Sequence, residues 1–453
     1  MNNYYKYENI EKELALYASP GVHPGLERIS RLLALLGHPE NSFPAIHVVG
    51  TNGKGSTSAY MESVLRHAEL KTAMYTSPHL IHMGERLLIN GSMLTSEEWQ
   101  RGAEKVINTI CNDKALSQDP PTYFEVFTAV AFVLIAEAHV DIAVIEAGMG
   151  GRLDATNTLG NVLLTVITSI SMDHMDFLGT TLEAIAMEKF AVIREQTPAI
   201  FTGEPSSLIS LFEKEADKKH SKGVVVSKSY EWQQEESSLK GSTFSLKNKE
   251  NEGKCYPHIH TPLIGLYQIQ NASLAIASLS ILRSVFPQIS EQALYDGLTH
   301  TQWAGRMELV PYDPPLLLDG AHNDDGIARL VESLSFLGIY RPEKKLTIVY
   351  GSMKDKEHNK ALERLSHLRP RLICTEVPGM ERSALAESLC AEASHYEWTF
   401  TPEGISDPIE AIKKAGEASD IVVCCGSLYL IGYVRTRLME RDHCYPFYHE
   451  TRL

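Results

Sequence analysis

Lys54 stands between two glycines in Gly50-Thr51-Asn52-Gly53-Lys54-Gly55-Ser56, and that spacing suits phosphate. Glycines let backbone N–H groups converge on an anion, and a helix N-terminus adds partial positive charge. Lys54 would reach the outer phosphates, while Ser56 or Thr57 could approach a magnesium ion. The arrangement is GxxGKG[ST], not the common GxxxxGK[ST]. It narrows the search to one kind of ATP user.

Further groups of chemistry-bearing residues follow. Glu146 opens Glu146-Ala147-Gly148-Met149-Gly150-Gly151-Arg152-Leu153-Asp154; a carboxylate entering a glycine turn is a magnesium-ligand candidate, or else a cap on that turn. Asp173-His174 follows an apolar run, so His174 is either a satisfied core residue or a metal ligand. Glu188-Lys189 lies in a helical pattern, where periodicity alone puts the lysine on the surface. Asp319-Gly320-Ala321-His322-Asn323 combines acid, imidazole and small residues that permit close ligand approach. Arg306 is suited to clamp phosphates across a cleft, or to an interdomain ion pair. Cys424-Cys425-Gly426-Ser427 leads into a glycine turn and reads equally as a helix cap or a ligand contact.

The elements that must hold these residues alternate in type. Strand-like apolar runs fall at Ala45–Val49, Thr72–Thr76, Ile142–Glu146 and Leu163–Ser169. Helical patterns fall at Thr57–Ala68, Glu125–Glu137, Leu182–Arg194 and Ile269–Val285. Such alternation predicts a mainly parallel sheet with helices on both faces, and ligands outside the carboxyl ends of its strands. From about 204 to 262 the composition turns to Lys, Glu, Ser and Gln. Short pieces such as Val224-Val225-Val226 and Thr243-Phe244-Ser245-Leu246 predict a peripheral β-hairpin region there. A break is expected near Thr299–Gln302. A second αβ series follows, with strands at Leu316–Leu318, Leu346–Tyr350, Arg371–Cys374 and Ile421–Cys424. This predicts a smaller Rossmann-like domain without a GxGxxG fingerprint.

The chain has 453 residues, enough for two cores. Its apolar content of 43% and charged content of 22% fit an ordinary globular protein. A formal net charge of −15 argues against a general nucleic-acid binder. No apolar run approaches the roughly 20 residues of a membrane-spanning helix, and the N-terminus shows no signal-peptide core. The cysteines, Cys111, Cys255, Cys374, Cys390, Cys424, Cys425 and Cys444, form no CxxC pair. They read as reduced residues of a cytoplasmic protein.

Taken in order, the motifs resemble the folylpolyglutamate synthase and dihydrofolate synthase family of Mur-type ATP-dependent amide ligases. The resemblance runs from about Gly50 to Gly432. It is carried by GTNGKGS, TSPHL (Thr76–Leu80), ERLLING (Glu85–Gly91), TYFEVFTA (Thr122–Ala129) and EAGMGGRLDATN (Glu146–Asn157). DH, EK, WAGR (Trp303–Arg306), DGAHN and GSLYLIG (Gly426–Gly432) complete it. It implies an ATP-binding domain over 1–299 and a glutamate-ligase domain over 300–453. It implies ATP phosphates on Gly53, Lys54, Gly55 and Ser56, and nucleotide contacts from Asn271, Arg306 and Asp319.

The same resemblance implies magnesium, at two sites, with Ser77, Glu146 and His174 as ligands. Lys189 would be carbamylated and hence metal-binding, which overrides its surface reading. His322 and Ser427 would lie near the incoming amino acid, and Phe124 and Glu125 in a pterin-side pocket. Lys54, Lys189 and His322 would serve catalysis. The implied reaction joins L-glutamate to the carboxylate of a folate, of dihydropteroate, or of both, through an acyl phosphate. A monomer is expected. Two departures stand out: Tyr267 where the family usually has His before Gln, and Phe190-Ala191 where small residues usually follow the lysine. The nearest alternative is a Mur-type ligase for a cell-wall precursor or poly-glutamate; TYFEVFTA and the lack of an extra N-terminal substrate domain argue for the folate branch. An inactive nucleotide-binding regulatory protein is the non-enzymatic alternative, against which Lys54, Glu146, His174 and Lys189 argue.

Overall fold

The computed structural model describes residues 4–249, 254–339 and 345–442. Strands β1 (Ala45–Val49), β2 (Thr72–Tyr75), β3 (Leu87–Ile89), β4 (Ser92–Met93), β5 (Ile142–Glu146), β6 (Val162–Ile167), β7 (Ala199–Phe201) and β8 (Gly223–Val225) form one sheet. Its order is β4-β3-β2-β5-β1-β6-β7-β8; β2–β3 and β3–β4 pair antiparallel and the other neighbours parallel. β1 and β5 are buried along their whole length, so their side chains are mostly apolar on both faces, and the exceptions, His47 and Glu146, have polar partners in Thr156 and Lys54. Alternation then divides the core in two. Ile46, Val48, Ile142 and Val144 pack with Tyr60, Met61 and Leu274 of helices Lys54–His67 and Leu266–Leu282. Ala45, Ala143 and Ile145 pack with Phe127 and Val130 of helix Tyr123–Ala138 on the other face.

A second, antiparallel sheet holds β9 (Tyr230–Ser238), β10 (Gly241–Asn248) and β11 (Cys255–Thr261) in the order β11-β10-β9. The third contains β12 (Glu308–Val310), β13 (Leu316–Leu318), β14 (Leu346–Tyr350), β15 (Arg371–Cys374), β16 (Glu403–Gly404) and β17 (Ile421–Cys425). It is ordered β12-β13-β17-β14-β15-β16, parallel except at β12.

The fold is the two-part α/β architecture that the strand–helix alternation predicts. Two expectations need correction. The segment from 204 to 262 is not all peripheral hairpin. Residues Ile209–Lys218 are a helix, and Val224 and Val225 belong to β8, pairing parallel with β7 at the edge of the main sheet. The helix expected over Leu182–Arg194 stops at Phe190; Val192 and Ile193 beyond it are buried in a turn, where apolar spacing imitates one more helical turn. Cys444 lies outside the described residues.

Candidate active site

The register of the main sheet places the sequence motifs side by side. Val48 pairs with Glu146, Tyr75 with Ile145, and Val49 with Ile167. The segments leaving β1, β2, β5 and β6 therefore emerge at one edge, on neighbouring strands about 4.8 Å apart. From β1 the chain enters the glycine loop. Gly53 caps helix Lys54–His67 with φ 85°, a left-handed value that favours glycine. A Cβ there would sit 2.5 Å from Asn271 Oδ1, so Asn271 lies directly on the loop. Gln268 ties the two together: its Nε2 donates to Ser56 Oγ (3.3 Å), and its Oε1 accepts from Asn271 Nδ2 (3.0 Å).

Two lysines converge on the same carbonyl. Lys54 Nζ donates to the oxygens of Gly50 (3.2 Å) and Thr51 (3.0 Å), and lies 3.9 Å from Glu146 Oε1. Lys189 Nζ donates to Gly50 O at 2.7 Å and is only 3% exposed. The surface position that periodicity gives Lys189 is thus wrong; its stem crosses the core side of the loop. Burial, followed by repulsion from Lys54, pulls the Lys189 ammonium down to about 7. Glu146 is 4% exposed. Burial pushes its carboxyl up to about 7 against the opposing pull of Lys54, Arg306 and the Ser77 backbone N–H. Ser77 and Glu146 are therefore in contact. His174 is paired instead with Asp173 at 3.8 Å, and its side chain is half-exposed.

The other wall comes from the third sheet. Asp319, Gly426 and Gly351 follow β13, β17 and β14, and are stitched together by Asp319 N to Cys424 O (3.0 Å), Gly426 N to Ala321 O (3.0 Å) and Gly351 N to Cys425 O (3.2 Å). Asp319 is 3% exposed. Burial raises its carboxyl, opposed by the nearby Arg306 charge and by donors from Ala321, Met307 and Tyr267. His322 Nδ1 is 2.8 Å from Gly320 O, and burial lowers the imidazole to about 4, leaving it neutral. Ser427 is buried next to this strand end. Asn52, Gly53, Ser56, Tyr267, Asn271, Arg306, Asp319 and His322 line one cavity between the two walls.

The chain that builds this cavity, with a phosphate loop on one side and an arginine, an acid and an imidazole on the other, is similar to known proteins. Residues 48–279 match the Mur ligase middle domain and residues 305–428 the Mur ligase glutamate ligase domain. A Bacillus subtilis dihydrofolate synthase/folylpolyglutamate synthase is 38% identical over 425 residues, covering 92% of this chain and 96% of its own. The chain belongs to the folylpolyglutamate synthase/dihydrofolate synthase family of Mur ligases. Like that family it is an ATP-dependent ligase. The crystal structure of Thermotoga maritima folylpolyglutamate synthase superposes with a TM-score of 0.81 at 32% identity, covering 97% of this chain and 98% of that one. Mycobacterium tuberculosis folylpolyglutamate synthase, solved with ADP and AMPPCP, gives 0.86 at 28%, covering 96% and 99%. Escherichia coli FolC, solved with DHPP and ADP, gives 0.82 at 27%, covering 96% and 98%.

Against the family pattern, most of the expected site residues meet at this cleft, and Glu125 does not. Glu125 is the reciprocal half of a capping box: its Oε2 accepts from Thr122 N at 2.6 Å and from Arg28 Nε at 3.2 Å. The Thr122-Tyr123-Phe124-Glu125 spacing carries that signal, and the other carboxylate oxygen, Oε1, is buried with no hydrogen-bond partner among the described residues. Phe124 does reach the site; a Cβ on Gly148 would come within 2.5 Å of its Cζ. The sequence reading passed over Lys356, whose charge is felt by Asp173, His174 and His322. The apolar run Leu346–Tyr350 followed by Gly351-Ser352 marked its loop as another strand end.

The donor set also fits magnesium. Among the described residues no three of His, Cys, Asp and Glu cluster as a ready-made metal site. Glu146, which accepts from the Ser77 backbone N–H beside a phosphate loop, is an oxygen donor of the kind taken by an ion that borrows phosphate oxygens. A buried carboxyl held near neutrality only by cations is one that a divalent ion would keep ionised.

Proposed function

We propose that this enzyme attaches L-glutamate both to dihydropteroate and to folates, as a monomer in the cytoplasm, using ATP and magnesium. One observation carries the reading. Lys54 and Glu146 lie 3.9 Å apart at the loop, and Asn52, Gly53 and Ser56 of that loop share a single cavity with Arg306, Asp319 and His322. In the first step the substrate carboxylate attacks the γ-phosphorus of ATP; the acyl phosphate forms and ADP leaves. In the second, the α-amine of glutamate attacks the acyl carbon and phosphate departs. The obstacle is repulsion between carboxylate and triphosphate. Lys54 and Arg306 place positive charge between them, and Gly53, Gly55 and Ser56 present loop amides to the phosphates.

Ser77, Glu146 and His174 would hold magnesium, which would supply Lewis-acid charge to the phosphate oxygens. Lys189, buried and brought down to about 7, has free amine near neutral pH to add CO2 and would become the carbamate ligand of a second ion. Asn271 and Asp319 hold the nucleoside, and Phe124 walls the pterin side. His322, neutral and beside Ser427, accepts the proton of the incoming amine; Lys356 attracts that amino acid's carboxylates.

The test is glutamate-dependent ADP release with dihydropteroate, tetrahydrofolate and a cell-wall precursor as alternative acceptors. Turnover with both pterins is expected. Turnover with the cell-wall precursor alone, or none with any acceptor, would overturn the assignment.

A further inference from the structure

Tyr267 bridges the two walls of the cleft. It sits in the first turn of helix Leu266–Leu282, which belongs to the phosphate-loop side. Its ring nevertheless packs into the core of the third sheet, alongside Met307, Leu317 and Ile327. Its hydroxyl donates to Asp319 Oδ2 at 3.2 Å. That oxygen also accepts from Met307 N at 2.8 Å, while Oδ1 accepts from Ala321 N at 2.8 Å. Three donors thus fix the carboxylate plane, and only Tyr267 comes from the opposite wall. Burial and the Asp319 charge push the phenol well above its ordinary value, so it stays protonated and remains a donor.

The neighbouring residues extend the bridge. Gln268 donates to Ser56 Oγ on the loop and holds Asn271, which lies against Gly53. One helical turn therefore touches the phosphate loop with Gln268 and Asn271, and the acid of the second wall with Tyr267. Tyr267, Asn271 and Asp319 line the same cavity, and Gln268 is bonded to its Ser56 and Asn271.

We propose that Tyr267 is a nucleotide-positioning residue: its hydroxyl sets the orientation of Asp319 relative to the phosphate loop, so that nucleoside and phosphates are gripped in one register. This rests on the reading of the cavity as the ATP site. It predicts an effect on nucleotide binding that ring packing alone does not supply. A hydrogen bond to a buried charged acceptor is worth about tenfold in an equilibrium constant.

The experiment compares full-length wild-type protein with Tyr267→Phe, Tyr267→His and Asp319→Asn. Binding of ADP and AMPPCP is measured by calorimetry, with KM for each substrate and Tm alongside. Tyr267→Phe keeps the ring and removes one hydroxyl. It is expected to weaken both nucleotides about fivefold to tenfold, with KM for glutamate and for the pterin essentially unchanged. Tyr267→His, which restores a donor, is expected to recover part of the affinity. If Asp319→Asn weakens the nucleotides and Tyr267→Phe does not, the positioning role is wrong and the ATP site stands. If neither variant changes nucleotide affinity, the ATP reading of the cavity falls, and this inference with it. A Tyr267→Phe protein that loses affinity for all substrates alike would show a packing role and overturn the proposal.

Discussion

At the scale of single residues, the site holds two groups against their solution chemistry. The Lys189 ammonium is brought down to about 7 by burial and by Lys54, so near neutral pH a large fraction is free amine, the form that adds CO2. Activity of protein stripped of CO2 is expected to return on adding bicarbonate, faster at pH 8 than at pH 6; Lys189→Ala is expected to lose activity that bicarbonate does not restore. Full Lys189→Ala activity without bicarbonate would remove the carbamate from the mechanism. Glu146 runs the other way. Its folded carboxyl takes a proton near 7, against an ordinary value of 4.5. The folded state binds more protons than the unfolded one between those values, so the contribution of Glu146 to stability falls as pH rises from 4.5 to 7. In metal-free protein Glu146→Gln is therefore expected to gain about 2–3 kcal/mol at pH 8 and clearly less at pH 5, while activity is lost. Thermal melts with a chelator at both pH values measure this, and an equal gain at both would contradict it. Neither environment was legible in the sequence. The acceptor that buries Lys189, Gly50 O, lies 139 residues away, and helical periodicity says nothing about what another element offers.

Elements were easier to read than side chains, because buried parallel strands leave unbroken apolar runs. β1, β5, β13 and β14 fall on the residues expected, and each motif follows its strand. The β8 edge strand escaped, since three valines in a polar stretch look the same whether they extend a hairpin or a main sheet. Helix-to-helix contacts were not legible either. Helix Glu291–Thr299 presses its backbone onto helix Lys54–His67 at Gly297, where Ser63 Oγ donates to Gly297 O at 2.7 Å. A Cβ at Gly297 would lie 2.4 Å from Val64 Cα and 2.7 Å from Val64 N. Backbone atoms do not rotate aside as a side chain does, so the helices must separate. Gly297→Ala is expected to cost about 3 kcal/mol, read as a lower midpoint in denaturant. An unchanged midpoint would show that the contact relaxes freely.

On the scale of the whole molecule, the cleft is closed by a polar clasp that no local pattern announces, because its members come from four separated segments. Arg329, on helix Asp324–Phe336, donates to Asp325 (3.0 Å) in its own helix, to Gln270 (3.1 Å) on helix Leu266–Leu282, and to Glu204 (3.2 Å) after β7. Gln270 also donates to Glu204 at 2.9 Å, and Asn52 of the phosphate loop donates to Asp325 at 2.7 Å. Asn323 reaches Asp173 at 3.2 Å, extending the same seam toward His174. Glu204 and Asp325 carry like charges across the seam, and Arg329 neutralises both. Without it, attraction becomes repulsion at the closing edge. Arg329→Ala is expected to leave each core intact, since Arg329 belongs to neither apolar cluster, but to shift the molecule toward an open cleft. The nucleotide, which touches both walls, must then supply the closing energy itself. KM for ATP should rise about tenfold while kcat at saturating ATP changes little. In small-angle X-ray scattering the free variant should be larger than wild type, and the two should converge on adding AMPPCP. Identical scattering in the free state, with an unchanged KM, would mean that apolar packing around Tyr267 and Met307 closes the cleft without the clasp.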